Sequence, residues 1–261
     1  MFDFHMHSNF SADCSTPMEE MVKNAIQKGL KEICFTEHID EDYPDLTITF
    51  DLDLETYESA ILEMRKKYGD QIHIRKGVEL GVQPHIINSY KKLLYEETFD
   101  FVICSMHTTG KLDLHSGKFF EGKVLNQAYE EYYKELFQCI KVFNGYSILG
   151  HLDLVTRYKY EDGVNLCLEI IEEIFKIIIP QGKGIEINTS GYYYGLDRLH
   201  PSLPILNLYK QLGGEIITIG SDAHKPDRIG EYYDEAVQLI KSAGFQYVTT
   251  FDKLKPTFHK I

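Results

Sequence analysis

Apolar and polar positions follow two rhythms along this chain. Short apolar runs at 1–5, 32–36, 72–79, 100–105, 146–150, 184–188, 215–220 and 246–250 read as β-strands. Between them, apolar residues recur at helical spacing. The first such stretch opens on Thr16-Pro17-Met18-Glu19, which predicts an N-cap, a proline at the first helical position and a capping-box glutamate. It places Met18, Met21, Val22, Ala25 and Ile26 on one face and ends near Gly29. Segment 54–68 does the same with Tyr57, Ala60, Ile61, Met64 and Tyr68. Stretches 125–143, 163–179, 201–212 and 230–243 are similar, and 84–95 predicts a shorter helix.

Seven or eight strand–helix units imply a parallel sheet with helices outside it. An open doubly wound sheet and a closed barrel both fit that rhythm. No G-x-G-x-x-G follows the first strand, which argues against a dinucleotide-binding domain, and the even spacing favours a barrel. Without a linker-like or low-complexity stretch, residues 1–261 read as a single domain. Loops 41–53 and 106–124 are the longest insertions. Both follow strands, so in a barrel they lie over the C-terminal face, where substrates bind.

Composition narrows the choice of partner. A net charge of −13 with no basic stripe disfavours a nucleic-acid partner but leaves room for a small anionic substrate. No apolar run approaches a membrane span and no secretory signal is visible, so a cytoplasmic protein without a membrane partner is expected. Cys14, Cys34, Cys104, Cys139 and Cys167 form no CxxC pair and read as reduced, mostly buried thiols.

The histidines carry the chemistry. His5 and His7, at i and i+2 on extended backbone, point to one side. His38, His107, His151 and His224 also fall at or just after strand C-termini, with Glu79 and Asp222 in the same phase. In a barrel these positions converge on one end of the axis. Imidazoles mixed with carboxylates and no cysteine suit Zn²⁺, Mn²⁺ or Fe²⁺, in numbers beyond the needs of one ion. His73, His85 and His259 lack that placement and read as surface or capping residues. His115 and His200 lie in loops on the expected active face, where a substrate contact is conceivable.

The ordered set His-x-His, Thr-Glu-His, Gly-Val-Glu, Ser-x-His, Gly-His-x-Asp and Ser-Asp-Ala-His, from His5 to His224, resembles the PHP (polymerase and histidinol phosphatase) superfamily. That resemblance implies a distorted (β/α)7 barrel with a trinuclear metal site at the C-terminal ends of its strands. It implies His5, His7, Glu79 and Asp222 around one ion, and Glu79, His107 and His151 around a second. Asp13, His38 and His224 would hold the third. Asp13 stands where many PHP proteins carry another histidine, which gives that site a harder and more anionic ligand.

Glu186-Ile187-Asn188-Thr189-Ser190-Gly191 resembles a segment of the stand-alone histidinol phosphatases, as does Arg157 after Gly150-His151-Leu152-Asp153. Arg198 resembles a later arginine of that branch. The expected function is therefore hydrolysis of L-histidinol phosphate, in histidine biosynthesis, by metal-activated hydroxide. Glu79, His151 and Asp222 would be catalytic, and Arg157 and Arg198 would clamp the phosphate. A PHP phosphoesterase acting on a sugar phosphate, nucleotide or phosphotyrosine is the alternative, and a non-catalytic metal-binding domain a more distant one. Glu37 and Asp153, each within two residues of a ligand, either orient metal-binding imidazoles or cap their loops. Tyr192–Tyr194 could stack on an imidazole ring or pack under a loop.

Overall fold

The structure, a computed structural model, describes residues 1–161 and 163–261. Strands β1 (Phe2–Met6), β2 (Glu32–Ile39), β3 (His73–Gly81) and β4 (Phe101–Ser105) come first. A small flap, β5 (Thr108–Thr109) and β6 (Leu112–Asp113), precedes β7 (Ile148–Leu149), β8 (Gly184–Asn188) and β9 (Ile217–Gly220). A hairpin of β10 (Tyr247–Asp252) and β11 (Lys255–Lys260) comes last. The main sheet has seven strands in the order β1-β2-β3-β4-β7-β8-β9. All of its pairings are parallel. The two edges meet without a full ladder: the Asp222 N–H donates to the His5 carbonyl (2.7 Å) and the His7 N–H to the Ala223 carbonyl (2.9 Å). The result is a nearly closed barrel.

The crossovers carry α1 (Met18–Gln27), α2 (Leu54–Tyr68), α3 (Ile87–Glu96), α4 (Leu125–Val142), α5 (Val155–Tyr158), α6 (Leu168–Ile178), α7 (Ser190–Tyr193), α8 (Leu203–Gln211) and α9 (Tyr233–Ser242). Strand alternation divides the apolar side chains between two sides. Val102 and Cys104 of β4 join the outer core with Tyr129, Tyr133 and Leu136 of α4. Phe101 and Ile103 of the same strand instead meet Phe4, Cys34 and Ile148 from three other strands, inside the barrel. The register of β1 on β2 slips between Asp3 and Met6. This bulge interrupts strict alternation, so Phe4 joins the inner cluster while its neighbour His5 still reaches the inner polar end.

Three expectations change. The apolar run at 246–250 is not an eighth barrel strand. Lys253 and Leu254, both at positive φ, turn it back on itself as the β10–β11 hairpin. Phe251 plugs the inner cluster, while Lys253 and Leu254 donate backbone N–H groups to the side chain and carbonyl of Asp100 at the start of β4. The hairpin therefore closes the N-terminal end of the barrel. Thr16 does not cap α1: its hydroxyl goes to the His224 carbonyl, and Asn9 Oδ1 accepts the Met18 N–H instead (3.2 Å). Helix α6 starts five residues later than its pattern suggests, after Cys167 at φ +55°. The five thiols are unpaired and buried. No helix among the described residues is long and apolar enough to cross a membrane.

Candidate metal centre

Strand register assembles the site. On the β2–β3 ladder His38 lies directly opposite Glu79, and on β3–β4 Gly81 lies opposite Ser105, two residues before His107. His5 and His7 at the end of β1 lie beside Asp222 across the barrel seam. The structure thus brings His5, His7, Asp13, His38, Glu79, His107, His151, Asp222 and His224 to one end of the barrel. Ligand atoms approach within 4.8 Å of one another in four overlapping groups: His5-His7-Asp222, His7-His38-His224, His5-Glu79-His151 and His38-Glu79-His107.

Glu79 lies at the centre and is fully buried. Its Oε1 is 3.0 Å from His151 Nε2 and 3.3 Å from His107 Nε2. Its Oε2 is 3.2 Å from His5 Nε2, 3.6 Å from His7 Nε2 and 3.1 Å from His38 Nδ1. Asp13 reaches the far side, with Oδ2 3.2 Å from His224 Nε2 and 3.6 Å from His38 Nε2.

The donor set fits divalent cations. His5 Nε2, His7 Nε2, His224 Nε2 and Glu79 Oε2 are buried and make no hydrogen bond. Unsatisfied polar atoms so tightly grouped are costly unless an ion takes them up. The electrostatics agree. Burial alone would lower the pKa of His5, but Glu186, Glu79 and Asp222 outweigh it and hold the pKa well above the usual value. Burial would likewise lower that of His38, yet Asp13, Glu79 and Asp40 lift it to about 9. Burial and the neighbouring His224 and His38 push His7 down to about 3. Glu79 is held well below the carboxylate range by His5, His38 and His107 despite its burial. The carboxylates draw protons onto His5, His38 and His107, and cations would replace those protons.

The partners that orient the imidazoles differ from expectation. Glu186 of β8 places Oε1 2.7 Å from His5 Nδ1, and its Oε2 accepts the His151 N–H (2.8 Å). Asp40 places Oδ1 2.7 Å from His107 Nδ1. Glu37 acts one step removed: it accepts the hydroxyls of Ser8 and Ser11 (2.6 Å each), and Ser11 Oγ lies 3.1 Å from His7 Nδ1. Burial lifts the Glu37 pKa to about 7 against the pull of those hydrogen bonds. Asp153 faces away from His151. It binds His200 Nδ1 (2.5 Å), Arg198 Nη1 (2.9 Å) and the Ser202 N–H (3.0 Å). Asp40 follows the alternation of His38 and Glu186 sits at a strand end like Glu79, so both carried a sequence signal.

A cavity of about 520 Å³ opens over the cluster, walled in part by loop 41–53, His115 and Tyr158. Arg157 lines it. Its Nη2 donates to Ser190 Oγ (2.5 Å) and Asp222 Oδ2 (3.2 Å), and its Nε is buried without a partner. Tyr194 packs on the guanidinium at 4.3 Å, and Tyr193 packs on Arg228, a second cavity cation, at 4.2 Å. Tyr192 turns away to stack on Tyr232. Arg198 lies outside this cavity, because Asp153, Thr156 and the Leu199 carbonyl take its donors. Arg198 instead lines a second, neighbouring cavity with Tyr160 and Tyr192. His200, fully buried against Asp153, is likewise outside the wall of the first cavity, whereas His115 lines it.

A parallel α/β barrel with a buried histidine–carboxylate cluster at its strand ends, and an arginine beside it, has the build of a metal-dependent phosphoesterase. The sequence profile of the PHP domain matches residues 3–190, and the chain belongs to that family. It is 34% identical over 258 residues to a histidinol-phosphatase of Lactococcus lactis subsp. lactis, spanning 97% of this chain and 95% of that one. A probable histidinol-phosphatase of Clostridium acetobutylicum is 31% identical, over 95% and 96% of the two chains. The crystal structure of the Lactococcus lactis histidinol phosphate phosphatase, complexed with Zn, L-histidinol and phosphate, superposes with a TM-score of 0.87 at 33% identity, covering 98% of each chain.

Proposed function

We propose that this chain is a metal-dependent phosphomonoester hydrolase that converts L-histidinol phosphate and water to L-histidinol and phosphate. The observation that carries this reading is the cavity floor where the strand-end cluster meets Arg157. The full-length similarity to an enzyme solved with Zn, L-histidinol and phosphate supports the choice of substrate. His5, His7, Glu79 and Asp222 would hold one ion, Glu79, His107 and His151 a second, and Asp13, His38 and His224 a third, with Zn, Mn or Fe as suitable metals. Bound divalent ions ionise water near neutral pH and neutralise charge on phosphoryl oxygens.

The protein supplies placement. Glu186 and Asp40 fix the ring orientations of His5 and His107, leaving Nε2 of each free for an ion. Arg157, held flat by Tyr194 and anchored by Ser190, keeps its Nε–H for a phosphate oxygen. A cavity of about 520 Å³ suits a small substrate. Residues 1–261 would act as one unit, since β9 and the β10–β11 hairpin, beyond residue 190, complete and close the barrel. We place the reaction in the cytoplasm, within histidine biosynthesis.

The test is phosphate release from L-histidinol phosphate beside a panel of other phosphoesters, with purified protein and Mn²⁺ or Zn²⁺. Turnover of another ester but not of L-histidinol phosphate would reassign the substrate. No turnover at full metal occupancy would make the chain a non-catalytic metal binder. Glu79→Ala and His151→Ala should each abolish activity, and retained activity in both would contradict the central role of Glu79.

A further inference from the structure

The barrel seam is held by an unusual device. β1 and β9 share no ladder, yet the loop after β9 carries Asp222, His224 and the cavity residue Arg228. Asp3, two residues before His5, is buried and points its carboxylate into this seam. Oδ1 accepts the Ser221 N–H (2.9 Å) and the His5 N–H (3.3 Å). Oδ2 accepts the Ser221 hydroxyl (2.5 Å) and the Gly230 N–H (2.9 Å). One side chain thus grips the residue before Asp222, the backbone of His5 and the far end of the 221–230 loop.

We propose that Asp3 is a positioning residue that sets the metal affinity of the centre by clasping the 221–230 loop to β1. It touches no ion and no substrate. With Asp3 in place, Asp222 and His224 meet His5 and His7 at a fixed separation. Without it, the direct ties between this loop and β1 are the two backbone hydrogen bonds between residues 222–223 and 5–7 and a long contact from the Ser221 hydroxyl to the His5 carbonyl (3.4 Å), while Cys14, Thr16 and Lys28 hold only the 224–229 stretch, outside the seam. The inference rests on the metal-centre reading above and not on the identity of the phosphoester.

The test compares Asp3→Asn and Ser221→Ala with Asp100→Asn, a buried carboxylate at the opposite end of the barrel. Each protein, stripped of metal, is titrated with Zn²⁺ in a competing chelator, and bound metal per chain and metal-free Tm are both measured. Asp3→Asn should weaken at least one ion by roughly tenfold, the lower end of what outer hydrogen-bond partners of metal sites cost. Ser221→Ala should weaken it less, in the same direction, and covers the case in which Asp3→Asn fails to fold. Asp100→Asn should lower Tm yet titrate like wild type. Wild-type zinc affinity in the Asp3 and Ser221 variants, whatever their Tm, would overturn the proposal. A wild-type chain that binds no metal would overturn the metal reading and this inference together.

Discussion

Glu186→Gln isolates what an orienting carboxylate does for this centre. Glu186 is buried, with Oε1 2.7 Å from His5 Nδ1 and Oε2 accepting the His151 N–H at 2.8 Å and the Asn188 amide at 3.0 Å. Glutamine keeps the shape but replaces one acceptor with a donor. If its oxygen faces His5, its NH₂ opposes two buried N–H donors, at a cost of about 2 kcal/mol. If it flips, the NH₂ faces His5 Nδ1 and drives the ring proton to Nε2, the atom needed by an ion. Either way, metal affinity should fall by roughly 10- to 100-fold. The metal-free protein should lose about 4–8 °C in Tm, from about 2 kcal/mol in a chain of this size. Chelator-buffered zinc titration reads the first effect, and thermal unfolding of the stripped protein the second. Affinity within about twofold of wild type, alongside a lowered Tm, would show that Glu186 only holds the barrel together, and the argument would fail.

Arg157→Ala should lower kcat/KM for the phosphoester by roughly 100-fold with little change in Tm. Arg198→Ala should do the reverse, costing about 3 kcal/mol by leaving buried Asp153 without one of its partners, with kcat/KM nearly intact; a loss of kcat/KM like that of Arg157→Ala would place Arg198 in the phosphate clamp. Gly81→Ala would drive a Cβ into Asp40 Oδ1. Loss of metal at the His107 side of the cluster should follow, read as reduced bound metal per chain, and full occupancy would show that Asp40 can move freely. Burial would raise the Asp153 pKa, but His200 and Arg198 hold it at about 2. Its stabilisation, on the order of 2 kcal/mol, is therefore present above about pH 4 and is lost as pH falls towards about 2. Metal-free Asp153→Asn should show a shallower fall in denaturant stability across that window, and a slope equal to that of wild type would refute the assignment.

The strand-end phase of His5, His38, Glu79, His107 and Asp222 was readable because parallel barrels place such positions together whatever the loop lengths. Register then supplied what spacing could not: His38 opposite Glu79 is a fact of pairing between strands. Spacing alone leaves Asp153 open between orienting an imidazole and capping a loop; the turn before α5 directs its carboxylate to Arg198, His200 and the Ser202 N–H. The hairpin at 247–260 was invisible as such because an apolar run before a tight turn looks like any other strand. Asp3 is equally hidden because its partners Ser221 and Gly230 lie far away in sequence, and Arg228 because its sequence neighbours Asp227 and Glu231 give no sign that it reaches the cavity.

The cluster residues run from His5 to His224, and the last two arrive with the loop after β9. While the chain is being synthesised, an ion can meet only partial sets drawn from β1 to β7. The groups that include Asp222 or His224 form only once β9 has docked against β1, whereas Glu79, His107 and His151 are already present just after β7. In the three-ion reading proposed above, the site of Glu79, His107 and His151 would therefore be the first able to load, and the two sites closed by the loop after β9 the last.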